Sequence, residues 1–394
     1  MSGTGAGVSP PGLVHGMGKD LVEPDWSPLT GDEVASVLSR YPSGTGDGVP
    51  DVAVTWHSPR PMSAAALVRR AGGEVFVKRH DPRVRTAAQL AAEHAFVAHL
   101  RKHGVPAPAV LRTRDGATTV CGGGFVYEVH EVAAGTDLYR DAVSWSPYRT
   151  LDHAHAAGAA LARLHRAAEG FSRPARPQAV LISGCDVVPA GEPVTAVQAM
   201  IGGRPGLARY MRGRDWQHDV ARDIVNYVKK AAPLLAGLGR QWGHGDWHPS
   251  NLTWTSADGR ARVAGVFDFG LANRTFAVHD LATALERSTV AWLDLAGSGR
   301  AAADLGAIDA LLDGYESVRP LIPAEAVALP EVLPVVHVEY ALAEIEYFAD
   351  VLRAPGLADL AYDGYLLGHA RWFAGTEGRA VTAHLRRRAA LRAR

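Results

Sequence analysis

The chain has 394 residues, of which 47% are hydrophobic and 21% charged, an ordinary globular composition with length enough for two domains or lobes. Lys plus Arg equals Asp plus Glu, so formal net charge is zero. That balance argues against a dedicated nucleic-acid binder and leaves open a small anionic ligand at one local site. Cys121 and Cys185 stand alone, with neither disulfide density nor a CxxC spacing, and read as free thiols in a reducing cytoplasm. No run approaches the roughly 18 consecutive apolar residues that span a bilayer, so no membrane partner is expected.

Residues 1–25 are rich in Gly, Ser and Pro and lack a charged start followed by an apolar run. They read as a flexible tail rather than a signal peptide. Gly44-Thr45-Gly46-Asp47-Gly48 is glycine-rich but precedes the first strand, which makes it a lead-in. Residues 26–132 form a first, strand-rich lobe. Val52–Trp56, Ala64–Arg70 and Glu74–Lys78 are strands separated by prolines and by Ala71-Gly72-Gly73, the pattern of an antiparallel meander. A helix starts at Thr86, where Gln89 completes a capping box, and stops at Gly104 before Pro106. Strands around Thr118–Cys121 and Phe125–Val132 follow.

Residues 133–394 form a second, mainly helical lobe. Leu151–Ala168, Asp215–Leu235, Leu281–Leu295, Ala302–Arg319 and Val332–Leu352 carry helical patterning. Within it, Leu252–Trp254 and Val263–Phe267 are β-prone runs joined by Asp258-Gly259, a favoured hairpin pair. The five arginines of the last ten residues read as a solvated helical end. The fold class is α+β.

The hairpin is flanked by two polar clusters, His244-Gly245-Asp246-Trp247-His248-Pro249-Ser250-Asn251 and Asp268-Phe269-Gly270. Phosphoryl transfer needs an orienting base for the attacking hydroxyl, oxygen ligands for magnesium, and positive charge on the phosphates. Asp246 and Asn251 have the Asp-to-Asn spacing of a kinase catalytic loop. Asp268 returns on the far side of the hairpin. Asp246 is therefore the expected base, and Asn251 and Asp268 the expected metal ligands. A rival reading takes His244, Asp246 and His248 as a zinc or iron cluster of a hydrolase. It leaves Asn251 and Asp268 without a purpose; His244 is better placed as a support of the loop backbone.

Upstream, Lys78 ends the strand Val75-Phe76-Val77-Lys78, where a lysine can meet the α- and β-phosphates. Glu93 is the one carboxylate between Arg83 and Leu100 and lies in an apolar helix stripe, a costly place for a charge unless it is paired. Lys78 is its expected partner. The turn His57–Ser63 should cover the phosphates but lacks glycine; Ser58, Ser63 and Arg60 are its candidate contacts. Glu131 and Val132, at the end of the lobe, are the candidate hinge for the nucleobase edge.

These motifs, with the run Ala160-Leu161-Ala162-Arg163-Leu164-His165, resemble the aminoglycoside phosphotransferase and choline kinase superfamily of small-molecule kinases over roughly Val52 to Asp350. The resemblance implies a two-lobed protein-kinase-like fold, with ATP or GTP between the lobes and Mg2+ at the metal ligands. It implies Asp246 as catalytic base, Asn251 and Asp268 on magnesium, and Lys78 on phosphate with Glu93 beside it. The superfamily's acceptors include antibiotics, homoserine, choline and sugars. A catalytically silent binding protein is disfavoured by the complete set of site residues.

The acceptor is sought on the helix Val332–Leu352. Glu339, Glu346 and Asp350 share one face there and could hold an amine, with His248 lining the site, while Glu344 lies off that face. Tyr340, Tyr347 and Trp372 are candidate pocket aromatics. The insert from Ala168 to Asp215 is expected to shape the pocket. The expected partners are a nucleoside triphosphate and a small hydroxyl acceptor, an antibiotic or amino-sugar-like metabolite.

Overall fold

The computed structural model describes residues 14–15, 20–42, 51–182, 184–295 and 299–392. Two short strands, β1 (Val14–His15) and β2 (Leu21–Val22), pair antiparallel near the N-terminus. Both residues of β1 are buried, and Asp25 accepts a hydrogen bond from Tyr347 Oη at 2.9 Å. These parts of the supposed flexible tail are therefore fastened to the protein by apolar and hydrogen-bonding side chains that bulk composition hides. Gly44–Gly48 lie outside the described residues.

Helix α1 (Gly31–Leu38) follows, closed by a Thr30–Glu33 capping box that sequence inspection overlooked. Strands β3 (Val52–His57), β4 (Ala64–Arg70), β5 (Gly73–His80), β6 (Val120–Gly122) and β7 (Phe125–Glu131) make one antiparallel sheet in the order β3-β4-β5-β7-β6. Alternation along central β5 sends Val75 and Val77 into a core with Val34, Val37 and Leu38 of α1. Lys78 and His80, in the opposite phase, face the cleft and line its cavity. Helix α2 (Ala87–Lys102) has the expected Thr86–Gln89 capping box. The chain then turns at Gly104, whose φ is +84°.

In the helical lobe, α3 (Leu151–Ala168) begins a series that continues with α4 (Pro193–Gly202), α5 (Pro205–Met211), α6 (Trp216–Asp223) and α7 (Val225–Leu235). The expected helix Asp215–Leu235 is thus two helices, broken at Ile224. Two antiparallel ribbons follow. Strand β8 (Arg240–Gly243) pairs with β11 (Asn273–Phe276), and β9 (Leu252–Ala257) pairs with β10 (Arg260–Val266). Asp258 and Gly259 close the second ribbon with φ of +52° and +74°, the left-handed pair that a two-residue hairpin requires. Together the ribbons set the loop after β8 beside the loop after β10.

Helices α8 (Ala277–Thr289), α9 (Leu305–Glu316), α10 (Pro323–Val332) and α11 (Val338–Glu346) follow, and α8 packs against β8 and β11. The expected helix Val332–Leu352 instead starts at Val338, after a 3-10 turn over Leu333–Val335, and continues as a π-helical turn, Tyr347–Val351. Helices α3 and α9 cross with backbones touching: a Cβ on Gly158 would lie 1.9 Å from Leu311 O. Residues Pro323–Val351 are long and apolar enough to cross a membrane, but 83% of the most apolar window is buried inside the lobe, as expected of a core element.

Candidate active site

The loop after β8 is held from below. Asp280, fully buried in the first turn of α8, accepts the backbone N–H groups of His244 at 2.7 Å and Gly245 at 2.8 Å. His165 Nε2 meets the same carboxylate at 2.9 Å and its Nδ1 meets Tyr315 Oη at 2.7 Å. Burial opposes ionisation of Asp280, but the bonds from His165, the charge of His244 and the loop amides outweigh it and hold its pKa at about 2. His244 Nε2 lies 3.0 Å from Phe267 O, joining the two loops, which is the supporting role expected of it. Gly245 has φ +75°, and a Cβ there would lie 2.4 Å from Leu271 O.

Asp246 opens onto the cleft. Its Oδ1 forms an ion pair with Arg287 Nη1 and lies 3.4 Å from His248 Nε2. Asn251 Nδ2 donates to Asp246 O at 2.9 Å and to Oδ2 at 3.2 Å, which turns the amide oxygen into the atom Asn251 can offer a cation. Burial alone would raise the Asp246 carboxyl, yet the Arg287 guanidinium, with His248 and His244, drives it far below the carboxylate range. Arg287 is itself buried, with its guanidinium over Trp145 at 5.0 Å and over Tyr340 at 4.8 Å. Sequence reasoning missed Arg287. The available signal was the charged pair Glu286-Arg287 directly after the mostly apolar run Leu281–Leu285.

Asp268 sits in the left-handed region, φ 58° and ψ 66°, a strained conformation for a non-glycine residue at the head of its turn. Its Oδ1 meets Lys78 Nζ at 2.9 Å. The turn is clamped by two arginines: Arg85 Nη2 donates to Gly270 O and Leu181 O, and Arg176 Nη1 donates to Gly270 O and Ala272 O. The expected Lys78–Glu93 ion pair is not formed. Glu93 lies 3.5 Å from Arg176 Nη2, and the insert between α3 and α6 delivers that arginine from far away in sequence. Burial disfavours the Lys78 ammonium, but Asp268, Glu128 and Glu93 together raise it above its ordinary value. Behind Lys78, Glu128 binds His80 at 2.9 Å and His94 at 2.6 Å.

The glycine-free turn carries Arg60 into the cavity, where its guanidinium donates to Ala142 O at 2.7 Å and meets His15 Nδ1 at 3.1 Å. Ser63 also lines the cavity. Ser58 does not: its Oγ accepts the N–H of Arg60 at 3.3 Å and shapes the turn. At the hinge, the Glu131 N–H donates to Ala109 O at 2.9 Å, so that donor is already committed. Its carboxylate accepts Ala109 N–H at 3.0 Å, and Val132 is exposed.

The acceptor assignments on α11 need correction. Glu339 Oε1 accepts the N–H groups of Asp186 at 2.6 Å and Val187 at 2.7 Å. Glu346 Oε2 binds Arg204 Nε at 2.6 Å, and Asp350 pairs with Arg209. The three do share a face, but that face grips the insert rather than the cavity. Glu344, on the other face, lines the cavity with Trp145, Tyr340, Asp246 and Asp268. It is 1% exposed, its Oε2 makes no hydrogen bond, and burial pushes its pKa up to about 8 against the pull of Arg287. His248 lines the cavity as expected. Tyr347 and Trp372 are tied elsewhere, to Asp25 and to Ala301 O.

An antiparallel sheet over a helical lobe, with a lysine reaching an aspartate across the cleft, is a protein-kinase-like fold. Residues 63–321 match the phosphotransferase enzyme family, and the chain belongs to it; the protein is a small-molecule kinase. It is 27% identical to a homoserine kinase of Phenylobacterium zucineum over 77% of this chain and 81% of that one. It is 30% identical to an uncharacterized protein of Deinococcus radiodurans over 62% of this chain, and the match spans 64% of that relative's length. A crystal structure of an aminoglycoside phosphotransferase from Alicyclobacillus acidocaldarius superposes with TM-score 0.51 at 18% identity, covering 92% of this chain and 97% of that one, a likeness of fold.

Proposed function

We propose that the cleft transfers the γ-phosphoryl group of ATP or GTP to a hydroxyl of a small, amine-bearing acceptor, an antibiotic or amino-sugar-like metabolite. The observation that carries this reading is one cavity lined at once by Lys78, Asp246, Asn251, Asp268 and Glu344. Lys78 and Arg60 supply positive charge for the phosphates, with Ser63 beside them and Glu93 holding Arg176 rather than Lys78. Glu131 and Val132 mark the edge for the base, through backbone atoms other than the Glu131 N–H.

The Asp268 carboxylate and the Asn251 amide oxygen are hard donors on one wall of the cavity, a set that fits Mg2+. When bound, Mg2+ neutralises charge on the phosphate oxygens. The acceptor oxygen attacks the γ-phosphorus while the bond from that phosphorus to the β–γ bridging oxygen breaks, releasing the nucleoside diphosphate. The hydroxyl proton passes to the Asp246 carboxylate and then to solvent. A carboxylate held so strongly ionised is a weak base, which suits orientation of the hydroxyl and late proton transfer in a loose transition state. Arg287 keeps Asp246 in place, and Glu344 faces the acceptor's ammonium.

The similarity to a homoserine kinase favours a second reading within this class, a metabolic kinase whose acceptor is an amino alcohol of homoserine type. Cytoplasmic action on a metabolite accords with either. Incubating the protein with ATP or GTP, Mg2+ and panels of hydroxylated acceptors, with mass-spectrometric detection of an added phosphate, tests the proposal. Nucleotide binding without turnover on any acceptor would favour a silent binding protein. Zinc-dependent hydrolysis without nucleotide affinity would favour the hydrolase.

A further inference from the structure

Behind the acceptor wall, three side chains from three segments meet: Glu286 of α8, His337 just before α11, and His369 of the helix Gly368–Ala374. Each offers a ligand atom, and these atoms lie within 4.8 Å of one another. The residues are 1%, 1% and 5% exposed, and the phosphoryl-transfer scheme uses none of them. His337 Nε2 lies 3.0 Å from Leu366 O, so its N–H points there and Nδ1 is left as a lone-pair acceptor. That Nδ1 makes no hydrogen bond. Glu286 Oε1 meets His369 Nδ1 at 2.7 Å, while Glu286 Oε2 makes no hydrogen bond.

Two buried acceptors without a donor, beside a second imidazole, leave a place that a cation would satisfy. We propose that Glu286, His337 and His369 bind a divalent transition-metal ion, zinc by ligand chemistry, as a structural site separate from the phosphate-binding cleft. Two imidazoles and a carboxylate supply three zinc donors, and the fourth position of a tetrahedral site is left to water or another ligand. The surroundings fit as well. A backbone carbonyl orienting the far nitrogen of a ligand histidine is the usual outer support of such sites. Trp292 stacks on His369 at 3.6 Å between ring centres with an interplanar angle of 13°, closing one side. The ion would join α8, the start of α11 and the Gly368–Ala374 helix, and so steady Arg287 against Asp246.

The test is metal analysis of the full chain. Protein purified from zinc-supplemented cells should retain about one ion per chain through dialysis against a chelator and release it on unfolding. Refolding with Co2+ should give the visible bands of a cobalt–imidazole centre. Glu286→Gln and His337→Gln should lower the retained metal at least tenfold with unchanged far-UV circular dichroism, while His384→Gln retains it. Should the variants fail to fold, the wild-type chain still decides, because its thermal midpoint should rise when it is refolded with zinc. Less than about a tenth of an ion per chain, with no cobalt bands after refolding, overturns the proposal, as does full metal retention in both variants.

Discussion

The two faces of α11 carry the same residue type to opposite ends. Glu339 and Glu346 face the insert, where backbone N–H groups and Arg204 bind them. Glu344 faces the cleft, where its Oε2 makes no hydrogen bond and Arg287, Asp246 and Glu286 are its charged neighbours. A buried carboxylate with a protein partner holds a fold together; one without such a partner, in a cavity, is available to a ligand. Helical spacing groups these residues correctly but cannot say which group faces the substrate.

Substitutions on the two faces, and in the cleft they border, should therefore separate into kinetic and stability effects. The largest is expected at the cleft itself. Asp246→Asn should lower transfer by about 10²–10⁴-fold, with nucleotide affinity nearly unchanged in a direct binding assay. Near-normal turnover would remove Asp246 from its role. On the insert face, Arg204→Ala leaves the Glu346 carboxylate buried and unpaired, a cost of about 3–5 kcal/mol. Denaturant unfolding should show that loss, and an unchanged midpoint would mean that the insert is not fastened through this pair.

Glu344→Gln should raise KM for an amine-bearing acceptor by roughly 10–100-fold, the worth of a charge-assisted hydrogen bond, without changing KM for the nucleotide. The smallest effect is on pH dependence. Glu344 is raised from 4.5 to about 8, so between those values the folded chain keeps a proton that the unfolded chain has released. Its stabilising contribution is full below the unfolded value and is lost as pH rises through about 8. Glu339, pushed up to about 7 by burial, has the same sign. The thermal midpoint should fall across this window, less steeply in Glu344→Gln. Acceptor binding near neutral pH should release a proton, measurable as a buffer-dependent heat.

Local signals read well. The Asp258-Gly259 hairpin, the Thr86–Gln89 cap and the strand phase of Lys78 each depend on neighbours in sequence, and the structure has all three. So does the gathering of Asp246, Asn251 and Asp268, because one short ribbon brings them together. What could not be read are partners chosen across the fold. Its place in an apolar stripe marks Glu93 as a charge in need of a partner, but the partner is Arg176 from the insert rather than Lys78, which reaches Asp268 instead. The Arg287–Asp246 pair depends on how α8 docks beneath the loop. Lys78 to Asp268 spans the cleft between lobes, a distance in the chain that no periodicity encodes.

The division of α11 into a structural and a ligand-facing side is tested most directly by one paired assay. Wild type, Glu344→Gln and Glu339→Gln are given ATP, Mg2+ and matched acceptors with and without an amine, and phosphorylated product is counted by mass spectrometry. Preferential phosphorylation of the amine-bearing acceptor, with that preference lost in Glu344→Gln and kept in Glu339→Gln, is the predicted result. Equal phosphorylation of both acceptors by all three proteins would contradict it.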